Sequence, residues 1–307
     1  MMNSTIHKTQ PQPDVLRIGA IRGRTRKPKS HREAARRKNV FMGVAAWAVG
    51  LLFATPVFWM ILTSFHSEPD AATNPPSLLA PLTLDGYRNF FGLDGGASPW
   101  PPLINSATAS VVSTILVILL AFPAAYALSI KPVKKPQSVL FFALTTKFLP
   151  IVASILPLYL FALYSGLIDN IGLLILLYTT MNLPIAVWML QSFLAEVPKE
   201  MLEAAEMDGA KLHQVLIKVV APVAMPGLAA TALICFIFSW QELLLARTLT
   251  NVVAGTAPVF LTSFVTSQGL FLAQLCAAAL AISLPVVIAG IAAQDKLVQG
   301  LSLGAVK

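Results

Sequence analysis

Between two long apolar runs lies the stretch Val197-Pro198-Lys199-Glu200-Met201-Leu202-Glu203-Ala204-Ala205-Glu206-Met207-Asp208-Gly209-Ala210. Pro198 suits the first position of a helix, where its missing N–H costs nothing. Lys199 through Asp208 holds no breaker and several strong helix formers. Gly209 fits the residue just past a helix end, where φ turns positive. The stretch therefore reads as a helix of about three turns. Ala210 to Val220 reads as a second short helix, ended by Ala221-Pro222. The first helix is unsuited to lipid, because it carries Glu200, Glu203, Glu206 and Asp208. Nor is it uniformly polar. Met201, Leu202, Ala204, Ala205 and Met207 supply apolar surface, and the two alanines permit close approach of another backbone. Such a helix suits either a groove in a partner or the surface of its own bundle.

The flanking composition sets the class. Of 307 residues, 56% are hydrophobic and only 12% are charged. A soluble domain carries about 25% charged residues to cover its surface. Mean hydropathy is +0.72. An ordinary soluble enzyme is excluded, and so is a disordered chain. Charge-free runs cover 39–67, 95–130, 148–168, 170–195, 219–241 and 248–294. A spanning helix needs about 20 mainly apolar residues. Trimming at turn signals predicts spans at 41–63, 107–130, 138–161, 170–193, 220–243 and 270–293. Continuous apolar runs of this length are helical, since barrel strands are short and alternating. The expected fold is an all-α membrane protein with six transmembrane helices. Pro56, Pro123, Pro150, Pro157, Pro184, Pro226 and Pro285 fall inside spans and mark kinks or unwound turns.

Charge sets the orientation. Residues 1–38 hold 11 of the 22 Lys and Arg against two acids, Asp14 and Glu33. A basic tail can bind nucleic acid, but beside a hydrophobic body it is explained by topology. No nucleic-acid partner is expected. With the N-terminus inside, inner segments carry 19 Lys and Arg, while outer segments carry only Arg88 and Arg247. Both termini are then cytoplasmic. Residues 1–38 read as a basic disordered tail, and 39–307 as a six-helix domain with a cytoplasmic segment at 197–221. The first span is preceded by too long a segment for a signal peptide and reads as retained. The external loop 64–102 reads as an interfacial cap or a surface for an external partner.

Few polar groups enter the membrane. Lys147 lies about three turns into the third span; it faces the pathway, meets a partner carboxylate, or snorkels to the inner interface. Glu242, beside Gln241, lines the outer mouth or pairs with Arg247. Trp240 is an interfacial anchor or stacks on a sugar. Asn182 is a further polar candidate, with Asn105 and Asn170. The histidines show no ligand spacing, so neither a metal nor a cofactor is expected. No nucleophile–base pair can be argued, and no catalytic residue is assigned. No GxxxxGK[ST] loop occurs, so this chain cannot supply its own ATPase.

Glu203-Ala204-Ala205, Asp208-Gly209-Ala210 and the downstream Pro222 and Pro226 resemble the EAA motif of ABC importer permeases. Asn105-Ser106 and Pro123-Ala124-Ala125-Tyr126-Ala127-Leu128 look like sugar permeases of the maltose-transporter family. Thr146-Lys147-Phe148-Leu149-Pro150 and the closing Gly300-Leu301-Ser302-Leu303-Gly304-Ala305-Val306-Lys307 look closer still to its sorbitol and mannitol branch. Ala221-Pro222 departs from the usual Leu-Pro, and Gln241 stands where relatives often have Asn. The resemblance covers about 40–307. It implies the type I importer transmembrane fold in a bacterial inner membrane. Glu203, Ala204, Ala205, Asp208, Gly209 and Ala210 would then form a coupling helix seated on an ATPase subunit. It also implies a second permease, two ATPase subunits, an external solute-binding protein, and a sugar or sugar alcohol as cargo. The competing readings are a non-transporting structural subunit and a secondary carrier.

Overall fold

The computed structural model describes residues 29–73, 77, 79–130, 133–148, 151–266 and 269–304. In chain order the helices are α1 (Lys29–Ser64), α2 (Glu68–Ala71), α3 (Asp85–Phe90), α4 (Trp100–Ser129), α5 (Pro136–Thr145), α6 (Ile151–Tyr164) and α7 (Ile171–Leu194). There follow α8 (Lys199–Met207), α9 (Leu212–Gln214), α10 (Ala221–Val223), α11 (Met225–Trp240), α12 (Leu244–Leu249), α13 (Ala257–Leu261) and α14 (Leu272–Gly304). A two-strand ribbon, β1 (Val265–Thr266) and β2 (Gly269–Leu270), is antiparallel.

The chain divides into two units, 1–55 and 56–307. In the first, Phe41, Trp47, Leu52 and Phe53 of α1 are all exposed, as expected of a helix solvated by lipid. The expected disordered tail 1–38 is corrected in part. Helix α1 already begins at Lys29, and residues 1–28 lie outside the described residues. Glu33-Ala34-Ala35-Arg36-Arg37-Lys38 are good helix formers, and a helix extends from an existing span without a new nucleus.

In the second unit, α4, α7 and α11 pack together, and α14 packs on α11 and α3. Helix α4 buries Ser106, Ala109, Ser110, Ser113, Val117, Ala121 and Ala125. Apart from the adjacent Ala109 and Ser110, these sit three or four residues apart, and most are small, so α7 approaches closely. Helix α7 answers with Leu174, Tyr178, Asn182, Ala186, Leu190 and Leu194, all buried at a spacing of four. On α11, Gly227 lies so close to Phe193 that an added Cβ would overlap its ring. The segment after α2 folds back on the bundle: Phe90 is fully buried among Ala257, Phe264, Ala278 and Ile282. The Glu68 carboxylate accepts the N–H groups of Ala273 (3.2 Å) and Gln274 (2.9 Å) at the start of α14.

The expected spans match unevenly. Among the described residues, four helical stretches are long and apolar enough to cross a membrane: Asn39–Ser64, Trp100–Ser129, Ile171–Leu194 and Leu272–Gln294. A fifth span is counted only if Leu212–Val223 and Met225–Trp240, bent by 84°, are taken as one. The predicted span 220–243 is thus a helix over 225–240 behind an elbow at Ala224. Pro226 sits in the first turn of the helix that follows the elbow, where proline is tolerated, and Pro222 lies in the last turn before it. The predicted span 138–161 is interrupted. Helix α5 stops at Thr145, a 3₁₀ turn covers Thr146–Phe148, and α6 starts at Ile151. The hydroxyls of Thr145 and Thr146 bond back to the carbonyls of Phe141 and Ala143, which favours tightening of the last turn.

Candidate functional site

Two layers carry the polar chemistry, one at the α8 end of the bundle and one within it. At the α8 end, Pro198 is the N-cap residue, one place earlier than expected, and α8 runs over nine residues. Its stop has the geometry of a Schellman motif. Gly209 takes φ +73°, its N–H donates to the Glu206 carbonyl at 3.0 Å, and the Ala210 N–H donates to the Ala205 carbonyl at 3.0 Å. Leu202 is buried, and Ala205 and Ala210 are packed against the cluster that holds Tyr126, Leu194, Val197, Val215, Val220 and Ala224. The opposite face turns outward. Glu203, Ala204, Asp208 and Gly209 are exposed, and Met207 is 88% exposed. One face of α8 thus packs on the chain's own bundle, and the other is left exposed. The second short helix departs from expectation. After α9 the backbone widens into a π-helix over Val215–Val220, and it continues through Pro222 to Val223.

Within the bundle, Asn182 and Ser239 meet. The Asn182 amide donates to the Ser239 hydroxyl at 2.9 Å, and the Ser113 hydroxyl lies 3.2 Å from the same oxygen. Three helices are joined in this way, and Asn182 is fully buried with its Oδ1 unpartnered. Trp240 is buried, and its indole N–H donates to the Ile282 carbonyl at 3.1 Å, so it is not an interfacial anchor. Gln241 is the exposed C-cap residue of α11. Glu242 does not pair with Arg247. Its carboxylate accepts the N–H groups of Leu245 (2.8 Å) and Ala246 (3.1 Å) and the Tyr178 hydroxyl (3.2 Å). Arg247 instead donates to the Thr262 hydroxyl at 2.6 Å. The free amides of a helix start are the stronger attraction for a nearby carboxylate. Lys147 lies exposed in the 3₁₀ turn, which packs against α7. The expected residues thus form two separate groups, Glu203 to Ala210 below and Asn182 to Glu242 above.

Sequence reasoning missed Asp169. Its carboxylate accepts four backbone N–H groups, from Asn251 (2.9 Å), Val252 (3.2 Å), Val253 (2.9 Å) and Ala254 (2.8 Å). Partial burial works to raise its pKa, but the four donors outweigh it, and the carboxyl titrates below its usual range. Asp169 holds φ +61°, a region that Asp tolerates better than most residues. Asn105 grips the same loop, donating to the carbonyls of Val253 (2.8 Å) and Gly255 (3.0 Å), and Ser106 accepts the Ala257 N–H at 2.8 Å. The side chain of Asn170 caps α7. The signal available in sequence was the single acid that splits two charge-free runs at 169. Among the described residues, no cluster of His, Cys, Asp and Glu suits a metal ion.

This architecture is that of an importer's transmembrane subunit. It is similar to a bacterial ABC transporter involved in the import of the acidic polysaccharide alginate, with a TM-score of 0.69 and 21% identity, covering 85% of this chain and 98% of that one. Residues 118–302 match the family described as binding-protein-dependent transport system inner membrane component, and the chain belongs to that family. It is 36% identical over 262 residues to a probable ABC transporter permease of Sinorhizobium fredii, covering 85% of this chain and 93% of the relative. It is 34% identical to the trehalose transport system permease of Mycobacterium tuberculosis, covering 82% and 92%. It is 29% identical to the diacetylchitobiose uptake system permease of Streptomyces coelicolor, covering 84% and 93%. The protein is a multi-pass inner-membrane permease subunit that works with ATPase and solute-binding partners, and it is not itself the ATPase.

Proposed function

We propose that this permease imports a sugar or a sugar alcohol, driven through α8. The carrying observation is the outward face of α8. Ala204 and Met207 offer a small apolar step flanked by Glu203 and Asp208, held clear of the bundle by a rigid turn at Gly209. That face suits a cleft in an ATPase subunit. Leu202 and Ala205 face the other way and pack with Val215, Val220 and Ala224. A displacement of α8 therefore pushes on the elbow at Ala224, and through it on α11, which carries Ser239. The site has two required properties, a docking face and a rigid connection to a span that moves.

The carbohydrate assignment is supported by the relatives that are named for trehalose and diacetylchitobiose uptake. The sugar-alcohol branch is supported by Thr146-Lys147-Phe148-Leu149-Pro150 and by the closing residues 300–307. The working complex pairs this chain with a second, different permease, two ATPase subunits and an external solute-binding protein. Both termini lie in the cytoplasm, in keeping with the Lys and Arg asymmetry.

The test is ATP hydrolysis by the complex, coexpressed, reconstituted and supplied with its binding protein. Stimulation by sorbitol or mannitol supports the full reading. Stimulation by trehalose alone keeps the carbohydrate importer and discards the sugar-alcohol branch. A folded complex that no carbohydrate stimulates sinks the proposal.

A further inference from the structure

The break in the third segment sets Lys147 on irregular backbone within the span. From Pro136 to Lys147 the rise is about 16 Å at 1.5 Å per residue. That reaches the middle of a hydrocarbon core about 30 Å thick. Irregular backbone at this depth is tolerated where protein buries it or where it lines a water-filled path. Lys147 is exposed on this chain, so the chain's own side chains do not bury it. A lysine facing lipid there is costly. The ion pair found among the described residues is Arg88–Asp94, which leaves Lys147 without a carboxylate on them.

The surroundings of the turn give the charge a context. The 3₁₀ turn packs against α7. Helix α7 carries Asn182, whose amide is held by Ser239 of α11, with Ser113 of α4 on the same oxygen. The turn that carries the lysine thus borders a helix of the three-helix polar node. An ammonium carries three donors and no acceptor, which suits oxygen-rich solutes.

We infer that Lys147, set on irregular backbone within the third segment, contacts the solute: its ammonium donates to hydroxyl oxygens of the passing carbohydrate. The Ser113–Ser239–Asn182 node ties α7 to α4 and α11, and the turn packs on α7. This rests on the importer reading above.

The experiment uses the full complex with its binding protein, and trehalose, sorbitol and mannitol as probes. Wild-type stimulation by a probe is established first. If no probe stimulates, the carbohydrate reading fails for these three solutes, and this inference with it. Given stimulation, Lys147→Met raises the probe concentration for half-maximal uptake about tenfold, as for loss of one charge-assisted hydrogen bond, and Lys147→Arg restores most of it. Lys147→Cys, in a background with Cys235→Ala and Cys276→Ala, reacts with a methanethiosulfonate ammonium reagent, and the stimulating probe slows the reaction. Unchanged half-maximal concentration in Lys147→Met overturns the inference and leaves the importer reading standing. So does a loss of complex yield without an affinity change, which would mark Lys147 as a contact to the second permease. Labelling that the probe does not slow also overturns it.

Discussion

The carboxylate of Asp169 accepts the backbone N–H of Ala254 at 2.8 Å, across 85 residues of chain. The same two oxygens take the three preceding amides, so one side chain orders the whole loop. Val252 and Val253 stand out from that loop, 92% and 75% exposed. Asp169→Asn retains at most one acceptor oxygen and turns an N–H₂ group toward amide donors. Hydrogen exchange at residues 251–254 is expected to accelerate about tenfold or more, as for loss of charge-assisted bonds. Unchanged protection would mean that Asn105 alone holds the loop.

The same pair predicts a pH dependence. The folded pKa of Asp169 is depressed, so its contribution to loop order is fully present above the unfolded value of about 3.9. It is lost as pH falls through the lower folded value. Protection of residues 251–254 is expected to stay flat through neutral pH and to drop only below that range. A drop near pH 6 would assign the loop's order to another group.

Gly209→Pro is expected to uncouple transport while leaving membrane insertion intact. Proline cannot take φ +73°, and it removes the N–H that Glu206 accepts. Gly209→Ala is the milder variant and costs about 1–2 kcal/mol locally for the left-handed conformation. Solute-stimulated ATP hydrolysis should vanish in the first and weaken in the second. Full stimulation in Gly209→Pro at normal complex yield would refute the rigid-turn account.

At the polar node, Ser239→Ala is expected to destabilise more than Ser113→Ala. The first leaves the Asn182 amide without its acceptor in a fully buried place, while the second leaves the Asn182–Ser239 bond in place. Interhelical bonds of this kind contribute about 0.6 kcal/mol on average and up to about 1.7. Thermal unfolding in detergent reads the order directly, and equal shifts for the two variants would contradict it.

Gly227→Ala should lower stability by about 1–3 kcal/mol through overpacking against Phe193. Phe193→Ala should be destabilising alone but should relieve part of the Gly227→Ala effect in the double variant. Strict additivity would show that the two helices do not meet at this point.

The inner-end helix was the part most legible in sequence. Lys199–Met207 and the positive φ at Gly209 follow from local propensity and the absence of a side chain. The start of α7 beside Asn170 was equally local. The third and fifth spans were less legible. A hydropathy window counts apolar residues and is blind to a backbone break, so neither the 3₁₀ turn at Lys147 nor the elbow at Ala224 registers in it.

The partners of polar side chains were the least legible. Glu242 lies five residues before Arg247, and a salt bridge was a fair expectation from spacing. The start of α12 folds its amides onto that carboxylate first, and Tyr178 arrives from 64 residues away.

By itself the sequence determined what each segment can be: apolar enough for lipid, charged enough to stay inside, or both on opposite faces of one short helix. These are properties of neighbours along the chain, since solvation and helix propensity act locally. Tertiary structure alone decided which polar groups meet. Asp169 holds a loop 82 to 85 residues away, and Asn182 finds Ser239 at a separation of 57. In a low-dielectric interior a polar group takes whichever partner the packing delivers, and no window along the chain contains that partner.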